Sequence, residues 1–238
     1  MLLKEGDFMD DIDKEKILDC LYDKTVTCPV CDNIFKNRAV KKGRTHLVST
    51  NIDLKPVYEP VNVIMYSVIS CPFCGYTALE NSFEKIGVKQ SVEMRITLAQ
   101  KFIPRKFPEI YDLDIAIIRY KMALICADIK SAKKSEIGYI ALRISWLYAD
   151  KGNKEKEFEF TKHAYKYYKE AYSSENFPLY GADEDTATYI IAALAYKLGE
   201  YDEAMKWVGS VIISRSVTPR IKEKAIDLKE EIRISKEK

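Results

Sequence analysis

Four cysteines fall in two pairs, Cys28-Pro29-Val30-Cys31 and Cys71-Pro72-Phe73-Cys74, the second followed by Gly75. Thiolates at that spacing can close one tetrahedral metal site, because zinc takes four sulfurs at about 2.3 Å and each Cys-x-x-Cys turn offers two from one tight knuckle. Pro29 and Pro72 preset the turns, and Gly75 relieves crowding where backbone N–H groups face sulfur. Cys71 follows Cys31 by 40 positions, against about 15 to 20 in common ribbons. The extra length matters little: doubling a loop costs about 0.6 kcal/mol in closure entropy, whereas structural zinc contributes on the order of 10 to 16 kcal/mol in finger peptides. Cys28, Cys31, Cys71 and Cys74 are therefore the expected metal ligands. Four thiolates leave no coordination position for water, so the site reads as scaffold rather than catalyst.

Zinc is the expected ion, with iron the alternative, since Cys-Pro-x-Cys-Gly also occurs in rubredoxins. Disulfides are the weaker reading of six cysteines, because paired Cys-x-x-Cys turns without an export signal more often bind metal. Cys20 and Cys126 fall on apolar helical stripes and read as buried thiols. His46 lies in the inserted loop and could replace a cysteine as ligand, although a surface or core histidine is the better reading, and with His163 the only other imidazole, histidine-based mechanisms have few candidates. The chain contains no phosphate-binding glycine loop, no His-Glu-x-x-His and no Gly-x-Ser-x-Gly elbow. Glu184 and Asp185, beside Asp183, are acidic enough for proton transfer, but their place at an expected helix start makes capping the better reading.

Two further groups could bind a partner. Lys36, Arg38, Lys41, Lys42 and Arg44 crowd five positive charges into the loop between the knuckles, a pattern suited to phosphate contacts, with Phe35 and Tyr58 available for stacking. A solvated loop, or a surface that docks the acidic N-terminal segment, accounts for the same charges. The second group is aromatic: Tyr139, Trp146, Tyr189 and Tyr196, with Lys197, fall on the first helices of two expected hairpins, where they would line a concave peptide-binding surface.

The elements that must position these residues follow from composition and period. With 238 residues and 47% hydrophobic content the chain can bury a full core. Its formal charge of +2 falls to about zero once four thiolates hold one divalent ion, so a global basic field is absent. The polar N-terminus and the absence of an apolar run of roughly 18 residues point to a cytoplasmic protein without a membrane partner. Residues 1–24 form an acidic segment with a helix through Ile17–Tyr22, and 25–88 a small β metal-binding module whose best strand is Val61–Ile69. Residues 89–111 are a connecting helix and Pro-containing linker, and 112–238 an α-helical domain. After Gly75 the pattern turns helical: Ala78, Leu79, Phe83 and Ile86 share one face, and Val92, Ile96, Ala99 and Phe102 another. A helix over Leu113–Ile129 carries the stripe Ala116, Tyr120, Ala123 and Ala127. Gly152 and Gly199 each end one helix and allow the next, and Leu198-Gly199-Glu200-Tyr201-Asp202-Glu203-Ala204 resembles a tetratricopeptide repeat. The glycines lie 47 positions apart, against a period of about 34. The expectation is thus hairpins with a lengthened connection over Ser173–Asp185. The fold class is mainly α: a small β zinc-ribbon module followed by tetratricopeptide-like hairpins, α+β overall.

The knuckles, the intervening Asp53-Leu54-Lys55-Pro56-Val57-Tyr58, then Asn62 and Tyr66, resemble a bacterial family of uncharacterised proteins, domain of unknown function 2225. The likeness continues through Arg119-Tyr120 and Ala141-Leu142-Arg143-Ile144-Ser145-Trp146-Leu147-Tyr148 and covers nearly the whole chain. It implies a metal-binding head and a helical tail in a cytoplasmic protein, and implies no activity. The leading expectation is a non-enzymatic scaffold or adaptor that binds a protein or peptide. A nucleic-acid-binding ribbon acting through residues 36–44 is the alternative, and an enzyme with a site between head and tail the third.

Overall fold

Each Cys knuckle is the turn of a β-hairpin. In a computed structural model, described for residues 11–100 and 102–237, β1 (Leu21–Thr27) pairs antiparallel with β2 (Ile34–Val40) in the register Leu21↔Val40 to Thr27↔Ile34. The first knuckle joins them. The second knuckle joins β5 (Val68–Ser70) to β6 (Thr77–Leu79). Between these hairpins, β3 (His46–Thr50) pairs with β4 (Pro56–Glu59), with a register shift between Leu47 and Ser49. Helix α1 (Asp11–Asp19) precedes the head. The first ten residues of the acidic segment lie outside the described residues.

Four local expectations are corrected. The helix expected through Ile17–Tyr22 ends at Asp19, because Cys20 accepts a backbone bond from Lys41 (2.8 Å) and Leu21 already pairs across the hairpin. Cys20 is buried, but in a turn and not on a helical stripe. The strand expected at Val61–Ile69 is interrupted by a 3₁₀ helix, Val63–Tyr66, which Asn62 caps by accepting the Ile64 N–H; strand β5 is Val68–Ser70. That cap competes with the ladder despite a β-branched sequence. Ala78 and Leu79 belong to β6, not to a helix, and a 3₁₀ turn (Glu80–Ser82) follows them.

The remaining described helices are α2 (Val88–Ala99), α3 (Leu113–Ile129), α4 (Lys134–Asp150), α5 (Lys154–Ser174), α6 (Glu184–Lys197), α7 (Tyr201–Ile213) and α8 (Pro219–Lys236). Gly152 and Gly199 take φ of +72° and +79° at the α4–α5 and α6–α7 turns, the left-handed conformation that ends a helix. Asp183 caps α6 through the Thr186 N–H at 2.8 Å, so the acidic group there is a cap. Head and tail share one core: Ile64, Val68 and Leu79 of the head join Ala116, Tyr120, Ala123 and Ala127 of α3 and the buried face of α4. Helix α3, apolar on two sides, is the wall between them. Among the described residues no helix is long and apolar enough to cross a membrane.

Candidate metal centre and its surroundings

The two hairpins face each other so that the Sγ atoms of Cys28, Cys31, Cys71 and Cys74 all lie within 4.8 Å of one another. Cys28 and Cys74 are 3.6 Å apart, as are Cys31 and Cys71. A tetrahedron with arms of about 2.3 Å has edges of about 3.8 Å, so the four sulfurs are spaced to hold one ion. A disulfide would need about 2.05 Å, and all four thiols are free.

The knuckles are built alike. Asp32 N–H donates to Cys28 O (2.9 Å) and Gly75 N–H to Cys71 O (3.1 Å), while Cys28 and Cys71 N–H donate to Asn33 O and Tyr76 O. The residue after each second cysteine is left-handed, Asp32 at φ +60° and Gly75 at +80°. Val30 N–H and the Asn33 amide point at Cys28 Sγ and Cys31 Sγ. With protons alone to share, the hydrogen bonds from Cys28 and then Cys74 lower the Cys71 thiol; the Cys71 contact raises Cys28 against an opposing one from Cys74, and the contacts with Cys28 and Cys71 raise Cys74. Binding an ion at four thiols releases their protons.

Helix α2 seals the first knuckle. Met94 is fully buried against it, Ser91 Oγ donates to Pro29 O (3.2 Å), and Arg95 donates through both Nε and Nη2 to Val30 O. These bonds fix which face of α2 turns inward. The expected apolar face therefore points outward: Val92 and Ile96 are more than half exposed, and Ala99 is exposed. Phe102 covers the second knuckle so closely that a Cβ on Gly75 would lie 2.3 Å from its ring. Cys126 on α3 accepts the Thr77 N–H at 3.4 Å, and burial raises its thiol to about 11. It supports the knuckle without joining the sulfur cluster.

The basic run is largely neutralised. Arg38 pairs with Asp23 (3.3 Å) and Glu109 (3.8 Å), and Lys41 and Arg44 both pair with Asp19. Lys36 and Arg38 belong to strand β2 and not to a loop, Lys36 donates to Thr25 Oγ1, and Lys42 is exposed. Acid residues adjacent in the fold thus face the charges that a nucleic acid would need.

The expected concave surface is also filled, by the chain itself. The β3–β4 connection runs along it as a strap. Asp53, buried, accepts from Trp146 Nε1 at 2.9 Å and Lys197 Nζ at 3.0 Å. Tyr189, fully buried, donates to Ile52 O at 2.6 Å, Lys55 pairs with Asp150, and Lys224 donates to Thr50 O. Burial works against the Lys197 charge, but Asp53 and Glu157 outweigh it and raise its pKa. Trp146, Tyr189 and Lys197 are therefore corrected from partner contacts to strap contacts. Tyr196 meets Tyr201 and Ser235, and Tyr139 lines a pocket with Arg143 between itself and Trp146. Reading residues singly missed Arg143, although Tyr139, Arg143 and Trp146 are spaced to share one helical face.

Beside the second knuckle lies an open, mainly apolar groove of about 430 Å³. Phe102, Ile103, Ile118, Met122 and Ile125 line it, with Arg105 and Lys121 also at its walls. Ile103 is 71% exposed and Ile125 55%. The exposed α2 residues Val88, Val92 and Ile96 adjoin it through Thr97, which both depressions share.

No curated protein and no solved structure matches the chain. A family model described as "Uncharacterized protein conserved in bacteria (DUF2225)" matches residues 21–232, from the first strand of the head to the last turns of α8. That span takes in both knuckles, the strap and the helical tail, and the chain belongs to this family.

Proposed function

We propose that the protein is a non-enzymatic adaptor whose structural zinc site holds an apolar docking groove in shape. The observation that carries this reading is the groove between α2 and α3, built on Gly75 and Phe102 beside the sulfur cluster. Neighbouring apolar side chains exposed on a folded chain mark interaction surfaces when they form a patch. Here Ile103, Ile118, Ile125, Val92 and Ile96 are all exposed. Arg105 and Lys121 beside the apolar floor favour a partner helix with apolar anchors and acidic flanks. Zinc fits the all-sulfur tetrahedral donor set, and the free thiols suit a reducing cytoplasm.

The test is affinity capture with the full metal-loaded chain against Ile125→Glu, followed by binding of a synthetic peptide from the captured protein's acidic amphipathic helix. The reading expects that peptide to bind wild type and to lose at least about tenfold with Ile125→Glu. Equal binding by the variant, or self-association of the chain through this face in sedimentation, contradicts it.

A further inference from the structure

Among the described residues, no carboxylate pairs with the charge of Arg143. The Arg143 Nε is shut off from solvent without a hydrogen-bond acceptor. Its guanidinium lies between two aromatic rings, 4.6 Å from the centroid of Tyr139 and 4.6 Å from that of Trp146, and Nη2 donates to the Tyr139 hydroxyl. Partly enclosed charges are ordinarily paired, because desolvation without a counter-charge is costly. Lys55 has Asp150, Lys197 has Asp53 and Glu157, and Lys130 has Glu136; Arg119, likewise without a carboxylate among the described residues, is held by Ser70 Oγ, Asn37 Oδ1 and Val68 O, whereas Arg143 donates to the Tyr139 hydroxyl alone.

The unpaired cation lines a pocket of about 260 Å³. Leu54 of the strap closes one side and Tyr180 another. Tyr180 adopts φ of +46°, a left-handed conformation unfavourable to a bulky residue. It is held there with its ring 4.6 Å from that of Tyr139 and its hydroxyl 2.9 Å from Ser82 Oγ. Thr186, in the first turn of α6, lines the pocket as well. Three elements of the tail and one of the head thus converge on a guanidinium whose charge they leave unmatched.

We infer that this pocket binds a small carboxylate with a flat apolar body, its carboxyl group on Arg143 and its body against Tyr139 and Tyr180. Carboxylate is the matching chemistry because a guanidinium fork meets it in plane through paired N–H groups, and the aromatic walls accept a flat apolar body. The volume suits a group the size of one aromatic amino acid, and falls below the roughly 300 Å³ at which ordinary drug-sized sites begin. The carboxylate can come from a free acid or from a chain terminus, and both present the same group. This site is separate from the docking groove, and its test does not depend on a partner.

The experiment titrates the full metal-loaded chain at low salt with phenylacetate, N-acetyl-phenylalanine, its carboxamide, a dipeptide ending in free phenylalanine, and inorganic phosphate. Binding is read by ligand-observed NMR and by tryptophan fluorescence with Trp207→Phe as background, which leaves Trp146 as the reporter. The inference expects saturable binding of the acids and at least about tenfold weaker binding of the carboxamide. Tighter binding of the dipeptide than of phenylacetate assigns the source to a chain terminus, and the reverse order to a free acid. Arg143→Gln is expected to abolish binding with metal content and circular dichroism unchanged. Should Arg143→Gln not fold, Thr186→Phe, which keeps Arg143 and the backbone cap, must block the pocket. Absence of saturable binding by any acid up to ~10 mM, about the weakest affinity a single charge-assisted contact gives, overturns the inference. So does equal binding by acid and carboxamide, undiminished binding by folded Arg143→Gln, or a response to phosphate alone.

Discussion

Gly75 meets two demands at once. Its φ of +80° is one that other residues adopt at a cost of about 1 to 2 kcal/mol, and the Phe102 ring occupies the space a Cβ would take. Gly75→Ala is therefore expected to destabilise the fold by about 2 to 4 kcal/mol, from the backbone term plus overpacking, measured by urea unfolding of the metal-loaded protein. Asp32 occupies the same place in the first knuckle at φ +60° without such a neighbour described against it, and Asp32→Gly should stay within about 1 kcal/mol of neutral. The knuckles were legible in the sequence because two residues between cysteines make a purely local geometry. The role of Asp53 was not, although its motif was noticed. Its partners Trp146 and Lys197 follow by 93 and 144 positions, and nothing local to a buried carboxylate names a distant cation.

At the level of elements, the strap decides what the helical tail can do. Helices α4 and α6 carry Trp146, Tyr189 and Lys197, which the sequence groups on the first helices of two hairpins. The sequence does not show that Ile52 and Asp53 of the head meet these side chains. Asp53→Ala removes one partner of a buried pair and should cost about 3 to 5 kcal/mol, with proteolysis at the β3–β4 connection as a second readout. Asp53→Asn keeps an acceptor for Trp146 and should cost less. Helix α2 shows a related difference. Its period was read correctly and its inward face wrongly, because Ser91 and Arg95 bond to knuckle carbonyls and outweigh the apolar stripe. Met94→Ala is accordingly expected to cost about 2 to 5 kcal/mol in thermal or urea unfolding. Val92→Ala, on the exposed face, should remain within about 0.5 kcal/mol.

For the whole molecule, the shared core across α3 makes the head part of the tail's packing: Ile64, Val68 and Leu79 lie in the same cluster as α4. Closing the sulfur cluster therefore steadies Gly75, Phe102 and the groove against α3 together. Because Asp19 and Asp23 already pair with Lys41, Arg44 and Arg38, binding to RNA or DNA at low salt is expected to stay at the level of non-specific contact, and Lys41→Ala with Lys42→Ala to lower it only modestly. The central claim is that one ion occupies the Cys28, Cys31, Cys71 and Cys74 cluster and holds the head. Its most direct test is elemental analysis of protein purified without added metal, followed by chelation while hydrogen exchange is recorded. The account predicts one zinc per chain, and on its removal loss of protection in β1, β2, β5 and β6. A folded protein with no bound metal and four freely titratable thiols in this cluster would contradict it.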